Sequence, residues 1–371
     1  MDASRKVQSS SPLAERLRAR IEQQGPITFR EWMAAALYDE RHGYYCRKDH
    51  LPQGKAGDYR TAPESSSLFA ATFANYFSKL FSDLKWPPSL TIFESGSGGG
   101  EFAHGVLSSL RRYDPTIFAV TNYVIDEIGA TARQRASERL TEFSERVTFR
   151  RLADVEAPVT AGIVFSNELL DAFPVHRVVM REGNLRELFV GVNEKDFVWV
   201  EADLEPSVAK YSLRAGLKLS EGQTAEINLE AERFVARAAG LLERGYVVTV
   251  DYGAERKDLL DSLTRPDGTL RAFHRHQMID DVLARPGQQD LTTTVDWTQI
   301  TEAGEQVGLR TVRLNRLDQF LLIEGLLNRL MEMSSTLDAA ESVRLSTSAR
   351  ELILPTGLAA SFQVLVQEKS A

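Results

Sequence analysis

The run TIFESGSGGGEF, Thr91 to Phe102, limits what this chain can fold into more than any other stretch. A β-prone segment ends at Glu94, and Gly96, Gly98 and Gly100 follow at alternate positions. A helical pattern then starts at once, with Phe102, Val106 and Leu110 on one face. Glycine tolerates positive φ and lets a ligand touch the backbone, and a helix N-terminus offers free N–H groups. Strand, glycine turn and helix in that order open a βαβ unit. Taken alone, the loop suits a dinucleotide, a phosphate, the methionine tail of S-adenosylmethionine, or a tight turn with no ligand.

The acids around the loop narrow these choices. Glu94 stands at the strand end, where a pyrophosphate would meet an unwelcome negative charge; a ligand carrying an ammonium and a sulfonium would be attracted instead. The next strand, YVIDE, ends in Asp126 and Glu127, placed to accept hydrogen bonds from ribose hydroxyls. Asp154, after the third strand, is a candidate for the adenine amino group. Together these residues favour S-adenosylmethionine over a nicotinamide dinucleotide.

The remaining chain sets the fold class. NYVI, VTF, AGIVFS and GYVVTVDYG read as further strands alternating with helices, and SFQVLVQEK closes the sheet. The expected class is α/β and Rossmann-like, with a mostly parallel sheet. An N-terminal helical cap and lid loop is expected over residues 1–88, including the Thr28–Glu31 capping-box pattern and a helix from Leu68 to Phe81. The main domain is expected over 89–371, with an antiparallel β insertion at about 175–222 around Gly183-Asn184. An amphipathic helix is expected from Ala225 to Leu242. The apolar stretch from Phe320 to Met333 reads as one helix, either core or a homodimer interface.

Composition bounds the function. With 371 residues, a net charge of −8 and no broad basic stretch, nucleic-acid binding is not expected. The single cysteine, Cys46, allows no intramolecular disulfide, and no apolar run approaches the ~20 residues of a membrane span. The N-terminus lacks a secretory h-region, so a cytoplasmic location is expected. His274 and His276 stand two apart without a cysteine or carboxylate helix nearby, and no metal site is expected from them.

The fourth strand runs into SNELLDAFP. In open α/β sheets, ligands bind beyond the carboxyl ends of the strands, so Asn167, Glu168 and Asp171 are well placed for chemistry. Asn167 is counted with the cofactor residues and the two acids with the catalytic ones. The GDYRTAPE loop, with Asp58, Tyr59 and Glu64, is a candidate lid.

These motifs, with GPITFREWMAAALYDERHGYY, EINLEAERF, GTLRAFHRH, PGQQDLTTTVDW and FLLIEGL, resemble the MidA family of S-adenosylmethionine-dependent methyltransferases over nearly the whole chain after about residue 20. The family includes a mitochondrial complex I assembly factor that methylates a protein arginine. The resemblance implies a class I methyltransferase fold, S-adenosylmethionine as cofactor and a protein acceptor, a respiratory-complex subunit among the possibilities. Tyr252 and His276 match the family as groups that shape the site. Gly99 stands where the family usually has an arginine, and Gly105 where it usually has an aspartate.

An arginine acceptor has a specific requirement. Its guanidinium is always protonated, so carboxylates must fork it, draw charge from one nitrogen and accept a proton. Glu168 and Asp171 are the expected clamp, with Glu226 as a third carboxylate. The competing readings are a small-molecule or peptide N- or O-methyltransferase, and a cofactor-binding assembly factor without turnover.

Overall fold

The computed structural model describes residues 11–47, 66–194, 196–275, 277–354 and 358–370. The chain forms two compact units. One comprises Gln53–Leu170, Glu232–Gly253 and Trp297–Ala371; the other comprises Met1–Pro52, Asp171–Ala231 and Ala254–Asp296.

The first unit is built on a sheet whose strands run in the order Leu309–Arg316, Phe362–Lys369, Gly245–Ala254, Gly162–Asn167, Leu90–Ser95, Thr121–Asp126 and Val147–Phe149. The last five pair in parallel, and Phe362–Lys369 is antiparallel to both of its neighbours. This is the expected Rossmann-like α/β class. Leu90–Ser95 comes first in the chain, yet later strands are added on both of its sides. The chain therefore reverses its direction of winding there, which opens a crevice beyond its carboxyl end. The glycine loop sits at that point.

Helix Ser67–Asp83 belongs to this unit, so the structure does not divide the chain at residue 88. The reason is burial. Eleven of its 17 residues are buried, and the Ser66 side chain caps its first turn by accepting from the Leu68 N–H. Phe73 meets Phe165 and Phe102 at ring distances of 5.3 and 5.8 Å, and Phe102 stacks on Phe165 at 4.1 Å. Each such ring stabilises the core by about 1.5–3 kcal/mol through burial alone. These aromatics fix the helix that follows the glycine loop against strand Gly162–Asn167.

The stretch read as one apolar helix is two, Leu317–Ile323 and Leu326–Ser334, broken where Gly325 turns left-handed at φ 93°. Phe320, Leu321 and Leu326 are core, whereas Ile323 and Met331 are 60% and 66% exposed.

The second unit holds an antiparallel sheet in the order Ile27–Thr28, Asn184–Asn193, His176–Arg181 and Thr224–Ile227, with Asp196–Ala202 also paired to Asn184–Asn193. The capping box is present: Thr28 Oγ1 accepts from the Glu31 N–H and Glu31 from the Thr28 N–H. The helix expected from Ala225 runs only over Leu229–Gly240, because Thr224–Ile227 is a strand paired with His176–Val179.

Candidate functional site

The glycine loop adopts the backbone its residues permit. Gly96, Gly98 and Gly100 have φ of 72°, 54° and 80°, and a Cβ at Gly96 or Gly100 would come within 3.0 Å of Leu169 or Ala136. Larger residues would therefore be both strained and crowded there. Helix Glu101–Tyr113 begins without a side-chain cap. Arg139 donates from Nε to the Gly99 carbonyl at 2.9 Å and pairs with Glu101, which fixes the far side of the loop. At Gly105 a Cβ would lie 2.5 Å from Ala70 Cβ, so the helix beneath takes the room an aspartate would need.

The acids are placed as follows. Glu94 is buried, and its Oε2 accepts from the Tyr123 hydroxyl at 2.7 Å. Burial pushes its carboxyl up to about 8; the Tyr123 hydrogen bond opposes this, while Glu101 and Glu127 add to it. Glu127 is also buried and accepts two backbone N–H groups, Gly98 at Oε2 (2.9 Å) and Gly129 at Oε1 (2.7 Å). Its carboxyl is likewise raised, by burial above all and against those two bonds. Asp126 pairs with Arg151. Of the two acids expected to meet a ribose, Glu127 thus also braces the glycine loop. A carboxylate has about four lone-pair directions, so two backbone bonds leave it able to accept more.

Beside Glu127 lies a cleft of about 790 Å³ lined by Ile125, Glu127, Arg133, Phe149, Arg151 and Asp154 among others. Its size is that of a small-molecule site. Asp154, expected at the adenine end, does line it.

Several buried polar atoms at these strand ends lack a hydrogen-bond partner among the described residues: the hydroxyls of Ser95, Ser97 and Ser166, and Asn167 Oδ1. Buried groups of this kind are normally satisfied, so they point to a bound polar molecule. An adenosyl ligand with an amino-acid tail suits the set. It offers an ammonium to Glu94, which has no cation partner among the described residues, hydroxyls to Glu127, and donors and acceptors to the serines and Asn167.

Glu168 follows directly, in the same unit. It is one of the few non-glycine residues with left-handed backbone, φ 50°, and its N–H donates to the Val250 carbonyl at 2.9 Å. Asn167 Nδ2 donates to its Oε1 at 3.1 Å. Strain of this kind collects at functional sites because the surroundings enforce it. Here the enforcing group is Asp251, which is fully buried. Its Oδ2 accepts the N–H groups of Leu169 (3.2 Å) and Leu170 (2.9 Å), and its Oδ1 that of Tyr252. Asp251 was not singled out in the sequence; an acid inside the apolar run VTVDYG was the available signal. Tyr252 packs edge-on against Phe362 at 5.5 Å.

The second unit carries the other two carboxylates. Asp171 is buried, and its carbonyl accepts from the Thr293 N–H at 2.9 Å. Glu226 is already engaged: its Oε2 accepts from the Thr269 N–H at 2.6 Å and hydroxyl at 3.0 Å, and Arg177 Nε lies 3.3 Å from its Oε1. Gly268 has no Cβ to collide with this carboxylate, which would approach to 2.4 Å. His176, Glu187 and Glu205, unremarked in the sequence, bring ligand-type atoms within 4.8 Å of one another. They satisfy each other, with His176 Nδ1 2.7 Å from Glu187 Oε1 and the Glu205 N–H donating to Glu187 Oε2. Asp58, Tyr59, Glu64 and His276 lie outside the described residues. Among the described residues, no helix is long and apolar enough to cross a membrane.

Known proteins share this arrangement. The sequence model of a family described as S-adenosyl-L-methionine-dependent methyltransferase matches residues 72–315. The mitochondrial protein arginine methyltransferase NDUFAF7 homolog of Drosophila melanogaster is 28% identical over 337 residues, 83% of this chain and 73% of its own. Its counterpart in Danio rerio is 26% identical over 381 residues, 95% and 85% of the two chains. A Burkholderia thailandensis crystal structure with S-adenosyl-homocysteine bound superposes with a TM-score of 0.83 at 27% identity, covering 96% of this chain and 91% of that one.

Proposed function

This chain belongs to the S-adenosyl-L-methionine-dependent methyltransferase family, and we propose that the methyl acceptor is an arginine guanidinium on a partner protein. The carrying observation is Glu168, held in a left-handed turn beyond the strand next to the glycine loop, with Asp251 behind it. The protein arginine methyltransferases among its relatives support the same acceptor. A subunit of a respiratory complex is the first acceptor to test. Self-association through exposed groups such as Ile323 and Met331 is part of this reading, and the cytoplasm its place of action.

Glu94, Ser95, Ser97, Glu127, Asp154 and Asn167 hold the cofactor in this reading, with Gly96, Gly98 and Gly100 allowing its close approach. When bound, S-adenosylmethionine supplies a methyl group made electrophilic by the sulfonium. The chain contributes position and charge. Glu168 receives the guanidinium in a bidentate carboxylate fork, which draws positive charge toward the two nitrogens it binds and leaves the third with a usable lone pair. With the cofactor bound, the new N–C bond would form as the methyl–sulfur bond breaks and its electron pair goes to sulfur, and a proton would leave that nitrogen for the Glu168 carboxylate and then solvent. Glu226, occupied by Thr269 and Arg177, acts at a remove by fixing the Gly268–Thr269 turn.

The test is purified protein with methyl-labelled cofactor and lysate from a strain lacking it, run beside Glu168→Gln. A labelled protein band that the variant fails to produce, mapping to arginine by mass spectrometry, supports the reading. Label confined to an organic extract moves the acceptor to a small molecule. No transfer despite cofactor binding moves the role to assembly without turnover.

A further inference from the structure

Glu94 is a carboxylate in an unusual position. It is buried at the carboxyl end of strand Leu90–Ser95, directly before the glycine loop, and among the described residues its one hydrogen bond is the Tyr123 hydroxyl at 2.7 Å. Tyr123 stands on the neighbouring strand and is fully buried. Among the described residues, no lysine, arginine or histidine pairs with Glu94. The charged groups acting on it are both acids: Glu101 on the helix after the loop, itself paired with Arg139, and Glu127 beyond the next strand, tied to Gly98 and Gly129. On the other flank, strand Gly162–Asn167 sets Phe165 beside it and offers no charge. A buried carboxylate among acids, with one neutral donor, is poorly stabilised as an anion.

We propose that Glu94 carries a proton in the free protein and gives it up to solvent when the ammonium of the adenosyl ligand arrives, so that cofactor binding and proton release are one event, with Tyr123 setting the pH at which it occurs. The ligand replaces the proton as the source of positive charge. Tyr123 keeps its own proton, since burial and the facing Glu94 both hold its phenol well above the ordinary value. Its hydroxyl therefore donates throughout and stabilises the anion. This inference rests on the cofactor site alone and holds or fails independently of the acceptor.

With the Glu94 carboxyl raised to about 8, roughly nine-tenths of the free protein is protonated there at pH 7. The experiment is titration calorimetry with S-adenosylhomocysteine at pH 7 in two buffers of different ionisation enthalpy, which counts protons directly. The wild type is expected to release about 0.9 proton more than Glu94→Gln, the variant removing any contribution from the ligand's own amino group. Affinity of the wild type should also fall close to tenfold from pH 7 to pH 6. Tyr123→Phe removes the donor that favours the anion, so its affinity should keep rising beyond the pH at which the wild type levels off. Equal proton counts for wild type and Glu94→Gln would overturn the proposal. If Glu94→Gln binds too weakly to measure, a wild-type affinity flat between pH 6 and 7, or a Tyr123→Phe profile superposing on it, overturns it equally.

Discussion

The carboxylate of Asp251 takes the backbone N–H of Leu170 at 2.9 Å, and so closes the turn in which Glu168 is held left-handed. The two acids have divided tasks: one is fully buried and accepts backbone N–H groups, the other stands at the mouth of the strand.

Asp251→Ala leaves the Leu169 and Leu170 N–H groups without their acceptor. Each orphaned buried donor costs about 1–3 kcal/mol, so urea unfolding should report a loss on the order of 2–6 kcal/mol. Asp251→Asn keeps one carbonyl oxygen and should lose about half of that. In both variants kcat should fall more than cofactor affinity, because the glycine loop is not held by this residue.

Glu168→Gly should separate stability from turnover. Glycine adopts φ near 50° without steric cost, so the variant should unfold at equal or higher denaturant, by up to about 1 kcal/mol. Methyl transfer should drop to background. A variant that lost stability as well would place the turn's energy in the Asn167–Glu168 hydrogen bond instead.

Glu94 has a folded-state carboxyl near 8 against an ordinary 4.5. Between these values the folded state binds the extra proton, so its contribution is complete below pH 4.5 and is lost as pH rises toward 8. The loss is on the order of a few kcal/mol. Glu94→Gln removes it, so the stability of the variant relative to wild type should rise steadily across that window and level above it. Chemical denaturation at pH 5, 6, 7 and 8 measures this difference.

Gly105→Asp would bring a Cβ to 2.5 Å from Ala70 Cβ. Overpacking of this kind costs about 1–3 kcal/mol. Adding Ala70→Gly should recover part of the loss, less the cost of a helical glycine. Additive losses in the double variant would mean the clash is relieved by movement of the helix rather than by Ala70.

Much of the fold was legible because the glycine loop, the strand–helix alternation and the Thr28–Glu31 cap are local signals. What failed was local in sequence but decided elsewhere. Thr224–Ile227 carries a helical pattern, yet pairing with His176–Val179 makes it a strand. Gly325 looks tolerable inside an apolar helix, but its left-handed turn lets Leu326 return to the core while Ile323 stays exposed. Helix Ser67–Asp83 was read as part of a cap because it precedes the first strand, and only its aromatic contacts assign it to the sheet. At the site, their places at strand ends marked Glu94, Glu127 and Glu168, whereas the left-handed backbone of Glu168 shows only in the fold. Asp251 was missed because the backbone N–H groups it accepts leave no mark on composition.

Strand Phe362–Lys369 lies between Gly245–Ala254 and Leu309–Arg316 and is the shared partner of both. During synthesis, a nascent chain that has emerged as far as residue 361 therefore carries two strand edges waiting for one missing ribbon. Such open edges are sticky, and their cover follows both of them in the chain. Until residues 362–369 have been made, those two edges stay open to pairing with another chain.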